Sequence, residues 1–166
     1  MNKTKKLAVS AMLCALTVCL SGFSIPVGAS KCFPIQHMVN VLAAVLLGPW
    51  WGVLIAFCAS LIRNLMGTGT FLAFPGSMVG ALLCGLVYQK TKKKIPTYIA
   101  EVFGTGVLGG LLAWPVAVYL MGREAALFAY VLPFLVSTTG GTLIAALLIA
   151  VLEKTHAMAH LKGMLA

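Results

Sequence analysis

Lys90-Thr91-Lys92-Lys93-Lys94 places four lysines in five residues between apolar runs at 72–89 and 97–121. A charge block between two hydrophobic segments marks a water-exposed loop, and short lysine-rich loops stay on the cytoplasmic side of a bilayer. Working outward, the apolar runs between Gly, Pro and charge breaks predict helices at 7–24, 35–48, 52–66, 72–89, 97–121 and 126–152. With the 90–94 loop inside, Lys3, Lys5, Lys6, Lys90, Lys92, Lys93, Lys94, Lys154 and Lys162 fall inside, and Lys31, Arg63 and Arg123 outside. Nine basic residues against three satisfy the positive-inside rule, with both termini inside.

Composition agrees with that pattern. The chain is 61% hydrophobic and 9% charged, with a mean hydropathy of +1.03, outside the range of soluble domains. A bilayer crossing takes roughly 20 helical residues, so 166 residues hold about six crossings and no soluble domain besides. The expectation is an all-α integral membrane protein of the cell membrane. It would be one domain over residues 1–166, a six-transmembrane-helix bundle with N-in/C-in topology. The second and third helices are short and meet at Gly48-Pro49-Trp50-Trp51-Gly52, whose tryptophans suit a membrane interface. The net charge of +9 then reports topology. The basic residues lack interleaved aromatics, which excludes nucleic acid as a partner and leaves anionic lipid as their companion.

Lys3-Thr4-Lys5-Lys6 before an apolar run, with Val27-Gly28-Ala29 beyond it, has the outline of a signal peptide. The run over 7–23 is too long for one, and a retained first helix is expected. Cys14, Cys19, Cys32, Cys58 and Cys84 show no metal spacing; four fall in predicted helices, and Cys32 is expected to be the accessible one. No metal site is predicted. Gly104-Thr105-Gly106-Val107-Leu108-Gly109 matches a dinucleotide fingerprint in form only, since no strand precedes it and no acid follows about 20 residues on. There is no phosphate-binding loop, so any ATP-driven step needs partner subunits, and no cofactor is expected in this chain. His156 and His160 lack the Glu and third ligand of a zinc site. With no Asp, and Glu101, Glu124 and Glu153 scattered near helix ends, the inventory does not build an enzyme.

The informative residues lie in the outer half. Gln36, His37 and Asn40 open the second helix, and Ser60, Arg63 and Asn64 close the third before a Gly-Thr-Gly-Thr-Phe loop. Polar groups at membrane depth are costly without partners, and an intramembrane Arg is by default a functional residue. Its structural alternative is snorkelling to lipid phosphate or capping of carbonyls. Trp114, Tyr119, Tyr130, Phe71 and Phe74 supply aromatic surface on the same side, the composition of a small-molecule pocket. The predicted substrate-binding set is His37, Asn40, Arg63, Asn64, Phe71, Trp114 and Tyr130. Only Glu124 offers a carboxylate in this half, so a neutral or anionic heteroaromatic ligand is favoured over a cation. Ala8, Ala11, Ala15, Cys19 and Gly22 form a small-residue stripe on the first helix, which either packs inside the bundle or docks another membrane protein.

These features together resemble the substrate-binding S components of energy-coupling factor (ECF) transporters. The resemblance rests on six helices, a basic inner loop, Ala11-x-x-x-Ala15, Arg63-Asn64 before Gly67-Thr68-Gly69, and Phe74-Pro75-Gly76. Residues 21–88, with Pro26-Val27-Gly28, Pro34-Ile35-Gln36-His37 and the Gly48–Gly52 turn, resemble the ThiW family of thiamine-precursor (thiazole) transport proteins. The resemblance implies vitamin-precursor capture from outside, a transmembrane T component docking on Ala11 and Ala15, and two cytoplasmic ATPases that use the ATP. Neutral hydroxyethylthiazole fits the charge argument; another small heteroaromatic vitamin or precursor, or a non-transport scaffold role, is the alternative.

Overall fold

The computed structural model describes residues 3–27 and 30–165, so Gly28 and Ala29 of the cleavage-like stretch lie outside the described residues. Seven helices form it. They are α1 (Lys3–Cys19, extended by a 3₁₀ turn, Leu20–Gly22), α2 (Pro34–Leu46), α3 (Pro49–Leu65), α4 (Ala73–Thr91), α5 (Lys94–Leu120), α6 (Val131–Lys154) and α7 (Ala157–Leu165). Between α1 and α2 a short hairpin pairs β1 (Ile25–Val27) antiparallel with β2 (Ser30–Cys32), Ile25 opposite Cys32. Neither this hairpin nor a separate α7 follows from the apolar runs, because both are too short to carry a periodic signal.

Three segments, Lys3–Gly22, Lys94–Leu120 and Val131–Lys154, are long and apolar enough to cross a membrane, and α2 and α3 are shorter apolar helices. The burial pattern of α1 suits lipid better than water. Its buried residues are Lys6, Ser10 and Thr17, while Leu7, Met12 and Leu16 face out. A helix in water would turn the other way.

The Gly48–Gly52 stretch is tighter than expected. Leu47 and Gly48 make the turn, Gly48 at φ +92° in the region that favours glycine, and Pro49 occupies the first position of α3, where its missing N–H costs nothing. Trp50 is therefore on the first turn of α3, 75% exposed.

α2 is the axis of the bundle. Every residue from Gln36 to Val45 is buried, with α3, α4 and α6 packed around it. Small residues let the neighbours approach. A Cβ on Gly141 would lie 2.2 Å from the Pro34 carbonyl oxygen, so α6 touches the α2 backbone; Gly109 would meet the Gly76 Cα at 2.5 Å, so α4 touches α5. Gly106 and Gly110 lie against Leu135 and Val131 of α6. This is small-residue packing of the kind membrane helices use, and it accounts for the fingerprint-like glycines. α5 widens into π-helix over Val102–Gly109 and again over Val116–Leu120 after Pro115, which cannot donate to the helical ladder.

Lys6, Lys92, Lys94 and Lys162 gather at one end. Lys94 pairs with Glu153 at 2.5 Å, Lys162 donates to the Tyr88 hydroxyl at 2.8 Å, and Lys6 and Lys92 line a hollow beside Trp50, Trp51 and Tyr88. The hairpin, Arg63 and the 66–72 loop occupy the other end.

Cys32 departs from expectation. It is 2% exposed, its thiol donating to the Pro133 carbonyl at 3.2 Å, and burial raises its pKa above the ordinary thiol value; Cys19 is the exposed cysteine. The hairpin explains the difference, because it folds residue 32 back onto α6.

Candidate functional site

At the end opposite Lys92, Lys94 and Lys162 a narrow cavity, about 30 Å³ within its open mouth, lies between α2, α4, α5 and α6. Phe33, Gln36 and His37 from the start of α2 form one wall; Thr70, Leu72, Ala73, Gly76 and Ser77 form a second. Thr105, Phe134 and Ser137 close it, and Lys31 stands at its edge. Pro34 at the first position of α2 stops the chain from extending that helix into the hairpin. The Phe33 N–H donates to the Ser137 hydroxyl at 2.7 Å, which fixes where α2 begins against α6.

Beneath this cavity lies a polar cluster centred on Glu101, which is fully buried. Glu101 Oε1 accepts from Asn40 Nδ2 at 3.0 Å and from the Thr105 hydroxyl at 3.0 Å, and stands 3.2 Å from His37 Nδ1. Asn40 Nδ2 also donates to the Ser77 carbonyl at 3.1 Å. Oε2 has no partner among the described residues. A carboxylate in an apolar interior is tolerated only when donors surround it, and α2 and α5 contribute them here. The π-helical stretch begins one residue after Glu101 and carries the hydroxyl of Thr105 back toward it.

A second cluster lies behind the Phe33 wall. Arg63 is 1% exposed, stacked over the Phe33 ring with its guanidinium carbon 3.8 Å from the centroid. Its Nη1 donates to Gln36 Oε1, and Gln36 Nε2 donates to the Ser60 hydroxyl at 3.0 Å. Arg63 Nε and Nη2 have no partner among the described residues. Asn64 Nδ2 donates to the Ser60 carbonyl at 2.8 Å and the Thr70 carbonyl at 3.1 Å, which ties the loop carrying Thr70 to α3.

Of the residues singled out from sequence, the structure thus brings His37 onto the cavity wall and places Asn40, Arg63 and Asn64 directly behind lining residues. It does not bring the three aromatics onto that wall. Phe71 is half exposed and stacks on Phe74 with centroids 6.5 Å apart. Trp114 donates its indole N–H to the Ala125 carbonyl at 2.8 Å. Tyr130, 2% exposed, packs with Leu72, Ala113 and Ala117 in a separate apolar cluster. Ala11 and Ala15 are exposed beside an apolar groove lined by Leu54, Ile55 and Cys58 of α3, so this part of the stripe is not consumed by internal packing.

Glu101 was the residue to find. Read as an acid near a helix end, it sits instead in the interior beside His37. The available signal was its place in the apolar run after Lys94, where an ionisable residue at membrane depth marks a site by default.

A family model described as thiamine-precursor transporter protein (ThiW) matches residues 7–155. No curated protein and no solved structure matches the chain.

Proposed function

Because the chain belongs to the ThiW family of thiamine-precursor transporter proteins, a family of transporters and not of enzymes, we propose that it is the substrate-capturing S component of an ECF importer. In this reading it takes hydroxyethylthiazole from outside the cell. The six apolar helices α1 to α6 each cross the membrane, with the lysine-bearing end and both termini inside. The cavity at the opposite end is the capture site. His37 contacts the ligand, and Asn40, Arg63 and Asn64 hold the lining in place from behind.

The observation that carries the reading is the cavity itself. It is partly open at one end and floored by a buried polar cluster, and no polar path continues from it through α2, whose following residues Val41 to Val45 are buried and apolar. A closed-floor site binds but does not conduct, which suits a capture subunit whose translocation is driven by others. Those others are a transmembrane T component and two ATPases that hydrolyse ATP, since this chain has no phosphate-binding loop. Ala11 and Ala15 are the proposed docking face, their small side chains allowing close helix approach in lipid.

The test is assembly and uptake together. Expressed with a T component and its ATPases, the chain should copurify with them and support ATP-dependent accumulation of labelled hydroxyethylthiazole. Ala11→Trp with Ala15→Trp should abolish both while leaving ligand binding by the isolated chain unchanged. Uptake by the chain alone at full rate would refute the S-component assignment.

A further inference from the structure

We infer that Glu101 determines specificity by fixing the tautomer of His37, so that the site admits a heteroaromatic ligand only if it carries a hydrogen-bond donor. Asn40 Nδ2 faces the Ser77 carbonyl at 3.1 Å, and a carbonyl can only accept. That settles the orientation of the Asn40 amide. The same Nδ2 is 3.0 Å from Glu101 Oε1, so this oxygen is an acceptor, as it is for the Thr105 hydroxyl. Against the ionised carboxylate, which can only accept, His37 Nδ1 at 3.2 Å from that oxygen is the donor. In a neutral imidazole the proton on Nδ1 leaves Nε2 as a bare lone pair.

Among the described residues Nε2 has no hydrogen-bond partner, and the His37 side chain keeps 9% exposure. His37 lines the cavity, which is the open space available to it. The wall therefore presents an acceptor. Hydroxyethylthiazole has no N–H or ring O–H, and its one donor is the side-chain hydroxyl. Resting on the thiazole reading above, the inference orients the ligand with that hydroxyl on His37 Nε2 and the ring toward Phe33 and Phe134. Glu101 is a positioning residue here, acting through His37.

Two measurements on the purified chain test this. The first needs no ligand: ¹⁵N NMR of histidine-labelled protein, with His156→Gln and His160→Gln removing the other two imidazoles, should show His37 protonated at Nδ1 alone. Protonation at Nε2, alone or with Nδ1, overturns the inference whatever the substrate proves to be. The second is calorimetry with hydroxyethylthiazole, its methyl ether and the 5-ethyl analogue. An unmet buried acceptor should weaken both analogues by roughly 10- to 100-fold. Equal affinity for the ethyl compound, or for the ether, overturns the donor requirement. Binding of none of the three refutes the thiazole reading and leaves the NMR result to judge the tautomer. Glu101→Gln, whose amide oxygen accepts as Oε1 does, should keep the hydroxyl preference. Glu101→Met should lose that preference, and if it does not fold the wild-type spectra still decide.

Discussion

Gly80 of α4 and Thr105 of α5 are in such close contact that a Cβ on Gly80 would stand 1.9 Å from the Thr105 hydroxyl oxygen and 2.9 Å from Glu101 Oε2. The floor of the cavity thus depends on a missing side chain. Gly80→Ala must displace Thr105 and Glu101, which lie on a helix held by α6 behind it. Overpacking of this kind costs about 1–3 kcal/mol. Thermal unfolding in detergent should show a lowered midpoint and binding should weaken with it, whereas Gly140→Ala, where the added Cβ meets nothing within 4 Å, should leave both unchanged.

Asn40→Leu removes one of the donors to Glu101 and leaves the Ser77 carbonyl without the Asn40 amide. Each buried polar group left unmet costs about 1–3 kcal/mol. The variant should still insert in the membrane, since leucine is apolar, but its affinity for ligand should fall. Unchanged affinity would show that the buried cluster does not set the shape of the cavity.

Arg63 is a buried cation with no acid beside it; among the described residues Glu153 pairs with Lys94, and Glu101 lies against His37. Taking a charge out of water without a counter-ion costs several kcal/mol, a cost that an apolar residue of similar volume does not carry. Arg63→Met should therefore melt no lower than the wild type while binding ligand less well, because Phe33 and Gln36 lose the group they rest on. A large loss of stability would mean that the guanidinium serves the fold alone.

Cys32 and Cys19 exchange the accessibilities expected from sequence. A water-soluble maleimide should leave Cys32 unmodified in the folded chain near neutral pH, since burial both shields the thiol and raises its pKa, reducing the reactive thiolate. Denaturation should restore labelling. Prompt labelling of Cys32 in the native state would mean that the hairpin does not rest on α6.

The outcome for Cys32 shows where the sequence was legible and where it was not. Long apolar runs such as 126–152 and the lysine block at 90–94 announce helices and an end of the bundle, because length and charge are local properties. His37, Asn40 and Arg63 were visible as polar residues that an apolar helix must account for. Their partners were not. Glu101 lies 61 positions from Asn40 in the chain, and only tertiary packing through Gly76, Gly80 and Gly109 brings the two together. The aromatics misled for the opposite reason: Trp114 and Tyr130 are spaced and typed like pocket residues, yet the turn at 121–130 and the Leu72 cluster take them up. Composition reports that aromatic surface exists; packing decides what it faces.

The central claim is that the cavity beside His37 captures the thiazole half of thiamine. Titration calorimetry of the purified chain with hydroxyethylthiazole, against thiamine and the pyrimidine precursor, tests it most directly. The account predicts tight one-to-one binding of the thiazole and none of the other two, with binding lost in a His37→Ala variant that remains folded. Tight binding of thiamine or of the pyrimidine, with none of the thiazole, would contradict it.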